Sequence, residues 1–119
     1  MLRYFILLLC CLFTFGLYAQ TTTELEQQLI NANTDSDKLS IHYQLAELNL
    51  NHGNESKSIE HSNKAIELAK TTGEKTLLVS AYLLNGNAYY KDREYRKAAA
   101  KYRNGLDYAK SAGEIELAI

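Results

Sequence analysis

Proline and tryptophan are absent from the 119 residues, and there are only six glycines. Without proline no residue has its φ locked or its backbone donor removed, so long helices are open to the chain. Ala, Leu, Glu and Lys, which dominate the sequence, favour the helical state, and the length suits one small all-α domain. Cysteine is nearly as scarce. Its two copies, Cys10 and Cys11, are adjacent and lie inside an apolar N-terminal run. Thiol catalysis, a disulfide framework and cysteine-ligated zinc are thereby excluded from everything that follows the run. A dominant charge is lacking too. The 13 basic residues include Arg3 in that run and stand against 14 acidic ones, so the remainder carries about −2 and calls for no polyanionic partner.

Residues 1–19 differ in kind from the rest. Arg3 provides a short positive start, Tyr4 to Phe15 is almost wholly apolar, and Gly16-Leu17-Tyr18-Ala19 ends in a small residue before Gln20. This is the layout of a secretory signal peptide cut after Ala19, with an uncleaved anchor as the alternative. The run is shorter than the roughly 20 residues a spanning helix needs, which favours cleavage. The expected product is periplasmic or extracellular, and its domain occupies residues 20–119.

From Gln20 the chain reads as a flexible start. Thr23 followed by Glu26 has the spacing of a capping box and opens a helix with Leu25, Leu29 and Ile30 on its apolar stripe. Asn31 to Asp37 is a turn and new cap, because its Asn, Thr, Asp and Ser side chains compete for backbone hydrogen bonds. Leu39, Tyr43, Ala46 and Leu50 then recur at helical spacing until Asn51-His52-Gly53-Asn54 breaks the pattern. Asn54 is the expected cap of a further helix ending at Gly73.

The stretch Tyr82 to Glu114 has the spacing of two helices joined by the polar turn Lys91-Asp92-Arg93-Glu94. Gly86 and Ala98 permit close backbone approach, and Tyr89, Tyr95 and Tyr102 are expected to fill the space beside them, with Gly105 and Leu106 on the same inner face. Set against itself with an offset of 40, the chain matches Ala65–Glu74 to Gly105–Glu114, with four of ten pairs identical and three close. The same offset pairs Ala46 with Gly86 and Tyr43 with Leu83, so a whole helical hairpin repeats. The expected repeats span about 37–76 and 77–116, and Glu114–Ile119 falls on Glu74–Val79 as the start of a third that is cut short.

Tyr82, Gly86, Tyr89, Tyr95, Ala98, Tyr102 and Leu106 resemble the motif of the tetratricopeptide repeat, in a version longer than the usual 34 or so residues. Asn85 stands where that family has Leu, with Leu84 beside it to pack, and Gly105 stands where it has Ala. The resemblance implies antiparallel hairpins stacked as a superhelix, with protein or peptide binding on the concave side. Long repeats of this kind resemble those of bacterial regulatory proteins, which makes a sensory input domain with a further module the rival function, and a structural spacer in an envelope assembly a third. The groove is expected at Tyr43, Glu47 and Leu50 with their equivalents Leu83, Asn87 and Tyr90. Leu50, Leu83 and Tyr90 would give apolar contact, Asn87 would pair with an extended backbone, and Glu47 would select a basic side chain. The Lys, Asn and Arg clamp by which some members of that family hold a terminal carboxylate is replaced here by Tyr43, Glu47 and Leu84.

No catalytic, metal or cofactor motif emerges. His42, His52 and His61 have no pair three or four residues apart and are expected to be surface or packing residues. Glu60 with Lys64 and Glu67 with Lys70 have the spacing of solvated ion pairs. No Gly-rich phosphate loop, nucleophile motif or paired acids are present, so an enzyme is not expected. Lys91, Arg93, Arg96, Lys97, Lys101, Arg103 and Lys110 alternate with tyrosines, superficially like a nucleic-acid surface. Basic residues on the wet side of a hairpin whose tyrosines are core explain the pattern without nucleic acid, and leave contact with an acidic partner or membrane surface open.

Overall fold

In the computed structural model the described residues are 1–112, with the side chains of 12–20 outside the description. The beginning of a third repeat, the end of the second and the side chains of Gly16 and Ala19 at the expected cleavage site therefore lie outside the described residues. Five helices and no strand are found among those described: α1 (Leu2–Asn31), α2 (Asp35–Asn51), α3 (Glu55–Thr72), α4 (Lys75–Lys91) and α5 (Tyr95–Ser111).

The first helix departs from expectation. It runs unbroken from Leu2 to Asn31, so Thr23 is a mid-helix residue and opens nothing. Gln20 to Thr23 contain neither Pro nor Gly, and a helix already propagating through them adds a hydrogen bond per residue without a new nucleus. It ends where Ala32 turns extended, at φ −70° and ψ 130°. Among its described side chains the packed ones lie in the last third: Leu25 is buried with Ile41 and Leu45 while Leu29 packs against them. Ile30, expected on that stripe, is 76 % exposed, and Tyr4 through Leu9 are also exposed. No helix of the described residues is long and apolar enough to cross a membrane.

The other caps separate into made and unmade. Thr34 opens α2 as the Asn31–Asp37 composition predicts, its Oγ1 accepting the Asp37 N–H at 3.1 Å. Asn54 precedes α3 but makes no side-chain cap bond. Gly73 closes α3 in the left-handed conformation, φ 73°, that a residue without Cβ adopts freely.

The offset of 40 reappears in the backbone. The bounds of α4 are those of α2 shifted by 40, and α5 starts 40 residues after α3. The turns agree bond for bond: Gly53 N–H donates to Leu50 O as Arg93 N–H does to Tyr90 O, and Asn54 N–H donates to Asn49 O as Glu94 N–H does to Tyr89 O. Both need one left-handed residue, Gly53 at φ 75° and Arg93 at φ 65°. Arginine pays about 1 kcal/mol for a conformation that glycine takes freely, so the geometry persists where the favoured residue does not.

Helix α2 packs on α3, α3 on α4, α4 on α5 and α1 on α2, with a lighter contact between α2 and α4. One buried cluster joins Leu39, Ala65, Ile66 and Ala69 to Leu78, Ala81 and Tyr82 of α4. A second joins Ala46 and Leu50 to Leu84 and Ala88. Leu84 thus packs as expected beside Asn85, but Asn85 is also fully buried. Its Nδ2 donates to Ser62 Oγ at 2.8 Å and to Asn63 Oδ1 at 3.1 Å. Ser62 Oγ lies 2.7 Å from Ser58 O, and Ser58 Oγ donates to Ala46 O at 2.8 Å. A polar seam thus crosses from α2 through α3 to α4, built from the residues that depart most from the repeat pattern.

Glycine sets the α4–α5 spacing. A Cβ on Gly86 would meet the Tyr102 ring at 2.6 Å, and one on Gly105 would stand 3.2 Å from Tyr82 Cβ. Ala98 and Ala109 are buried alongside. Tyr95 and Leu106, expected on the inner face, are instead 56 % and 43 % exposed, because no described helix covers that side of α5.

Candidate functional site

The six groove residues divide by their cover. Leu50 is corrected: only 6 % exposed, it belongs to the cluster with Ala46, Leu84 and Ala88 and lines no open groove. Tyr43 is half-buried against both α2–α4 clusters. Desolvation, followed by the Glu47 carboxylate, pushes its phenol above the ordinary range, with Ser80 opposing. Glu47 itself is exposed on the same turn. Leu83, Asn87 and Tyr90 hold the same positions on α4 and all three are exposed, Leu83 at 44 % and Tyr90 at 57 %.

Around this second set the structure assembles partners that spacing along one helix does not reveal. Tyr102, lying over Gly86, donates its hydroxyl to Asn87 Oδ1 at 2.5 Å. The Asn87 carbonyl is thereby engaged, and its two amide hydrogens suit an outside acceptor. Tyr90 meets Tyr95 edge to face, centroids 5.2 Å apart and planes at 66°. An exposed carboxamide on α4 is thus held by a tyrosine of α5, with Tyr90 three residues further along the same helix. Gly86, read as a packing glycine, was the signal for Tyr102; Tyr95 was read as packing there too, and nothing in the periodicity pointed to its pairing with Tyr90.

The basic residues flank this surface. Lys91, Arg93, Arg96, Lys97 and Arg103 are exposed. Lys97 pairs with Glu94 at 2.7 Å and lies 5.6 Å from the Tyr89 ring centroid. The interleaved tyrosines, expected in the core, divide: Tyr90, Tyr95 and Tyr108 are exposed, Tyr89 and Tyr102 are partly buried, and Tyr82 before them is buried and stacked on Tyr108. Aromatic and arginine side chains exposed together have the composition of a protein-contact surface.

Two histidines with no helical spacing meet across α2 and α3. His42 Nδ1 and His61 Nδ1 are 3.0 Å apart with ring centroids 5.3 Å apart. That centroid distance is close to the longest a 3.0 Å nitrogen contact allows, so each nitrogen points at the other. This is the geometry of an N–H···N bond between complementary tautomers, not of two lone pairs converging on a metal ion. Among the described residues no group of three or more potential metal ligands is found.

Desolvation, then His61 and Lys64, lower His42 from 6.5 to about 4 against the opposing Glu60. His61 is lowered by desolvation and by Lys57, against Glu60 and Glu26. Both imidazoles are harder to protonate folded than unfolded. The stability they confer is therefore complete above pH 6.5 and lost as the pH falls towards 4. Urea midpoints are expected to fall between pH 6.5 and 5 by the equivalent of about 1 kcal/mol, screening at these half-exposed rings taking up the rest. His61→Gln should flatten that slope; an unchanged slope would assign it to carboxylates.

Comparison with protein-family models, curated proteins and solved structures finds no match. Function is therefore argued from these residues.

Proposed function

We propose that the chain is an exported scaffold of tetratricopeptide-like repeats, its two hairpins α2–α3 and α4–α5 stacked as units of a superhelix, that holds a protein or peptide partner. Support for the repeat comes from helix bounds and turn hydrogen bonds that recur after 40 residues. Export is supported by the layout of residues 1–19, whose described apolar side chains take no part in the core.

The observation carrying the binding role is the Asn87 carboxamide, fixed by Tyr102 and set beside the exposed Tyr90–Tyr95 pair. An extended peptide offers backbone groups for Asn87 and apolar side chains for the rings, and acidic residues on it would meet Arg93 and Arg96. Glu47 provides the opposite charge one repeat earlier. Of the residues expected in the groove, Glu47, Asn87 and Tyr90 carry this role, with Tyr43 and Leu83 at its edges.

Asn87→Ala and Tyr90→Ala are expected to leave helicity intact and each to weaken a partner, identified by quantitative capture from a cell-envelope extract and then titrated in purified form, by about tenfold. Wild-type affinity in both variants would move the site to the basic surface around Arg96.

A further inference from the structure

The net charge hides a division along the chain. Residues 20–74 hold nine acidic side chains against four basic ones, whereas the α4–α5 hairpin, residues 75–111, holds eight basic against three acidic. Packing carries that division through space, because α1 lies on α2 and α5 on α4, at opposite ends of the helix succession. Glu24, Glu26, Asp35 and Asp37 are exposed at the first end, and Arg96, Arg103 and Lys110 at the other. The halves do not neutralise each other within one copy: the ion pairs found among the described residues, Lys64–Glu67 and Lys97–Glu94, each stay in one half. Each end also sets an exposed aliphatic side chain among its charges. Ile30, 76 % exposed, follows Glu26 by one helical turn, and Leu106, 43 % exposed, lies between Arg103 and Lys110 at helical spacing.

We propose that the α5 end of one copy docks on the α1–α2 end of a second copy of this chain, with Arg96 and Arg103 facing Glu24 and Glu26 around a contact between Leu106 and Ile30. An apolar centre inside a charged rim is the layout of a protein interface, and the two rims have opposite sign. Charge complementarity selects the occupant. An acidic protein would match only the α5 end and a basic one only the α1–α2 end, whereas a second copy matches both. Like ends repel, so the contact joins unlike ends. Only Arg96 is shared with the peptide surface; Asn87 and Tyr90 take no part.

Sedimentation of the purified full chain tests the contact. At about 20 mM salt the wild type should self-associate, and about 300 mM salt should weaken that association by about tenfold or more. Arg96→Glu with Arg103→Glu should be monomeric alone, and so should Glu24→Lys with Glu26→Lys; an equimolar mixture of the two should associate again. Lys57→Glu with Lys64→Glu makes the same change of net charge on α3 as the first pair makes on α5, and should associate as wild type does. A wild type that stays monomeric at low salt, an α3 variant as weak as the α5 variant, or a mixture that stays monomeric would overturn the contact. Association that neither salt nor charge reversal weakens would do so too, since the exposed Tyr4 to Leu9 would then be the join. So would binding of monomers to phosphatidylglycerol vesicles through Arg96 and Arg103, which would make a membrane the occupant. The salt response needs no variant, so it decides even where a reversed chain folds poorly. Asn87→Ala and Tyr90→Ala should leave self-association unchanged, which keeps failure here distinct from failure of peptide binding.

Discussion

Replacing Asn85 by Asp is expected to cost about 3–5 kcal/mol at neutral pH, although the side chain barely changes shape. Asn85 is fully buried, and it is its NH2 that makes the bonds to Ser62 and Asn63. A carboxylate there loses both donations, brings an acceptor against Asn63 Oδ1, and has no described cation beside it. Oδ1 already lacks a partner in the native seam, so no donor waits to stabilise a charge. The introduced carboxyl would have its folded pKa raised above the unfolded value of about 3.9. For a raised pKa the penalty is absent below the unfolded value and grows as the pH rises, so the variant's deficit should shrink on acidification from pH 7 towards pH 4. Asn85→Leu removes the unpaired oxygen together with the amide while Ser62 keeps its bond to Ser58 O, and should stay within about 1 kcal/mol of wild type. Urea titrations of both variants at pH 7 and pH 4.5 check the contrast; similar losses for Leu and Asp would mean that shape, not charge, governs the site.

Gly86→Leu should be the next most damaging, at about 1–3 kcal/mol. Its first added atom already falls 2.6 Å from the Tyr102 ring, so the ring must leave before the rest of the side chain can enter. Moving Tyr102 also breaks its bond to Asn87, tying the fold's tightest approach to the candidate surface. Gly86→Ala needs the same ring to move but recovers up to about 1 kcal/mol of helix propensity, and should lose far less. A Leu variant with a wild-type midpoint and an intact Tyr102–Asn87 bond by NMR would show that α5 yields more readily than its packing implies.

The elements were readable where local chemistry decides them. Thr34, Gly53 and Gly73 stop or start helices by their own backbone preferences, and the self-match at 40 reappears in the bounds of α2 and α4 and in the starts of α3 and α5. What single-helix spacing leaves undetermined is which neighbour covers a stripe. Leu50 and Tyr90 share one helical phase, yet the first is buried by α4 and the second is open. Pairs between helices were equally hidden: nothing in the sequence brings His42 to His61, or matches Asn85 with Ser62, until α2, α3 and α4 are packed. The Thr23 cap failed for a different reason, since a capping motif competes only where a helix would otherwise begin.

The polar seam also gives the two hairpins separate identities. Were α4, from another copy or after a slip of one repeat, to lie on α5 as it lies on α3, Asn85 would face Tyr102 where it now meets Ser62, and its amide would be buried without that acceptor. Arg103 likewise stands in the place of Asn63, the second acceptor of that amide. Such a mispairing forfeits hydrogen bonds that cost about 1–3 kcal/mol to leave unmade in a dry interface. The departures from the repeat pattern thus act as an address, directing α4 to one neighbour in a chain whose backbone provides two similar ones.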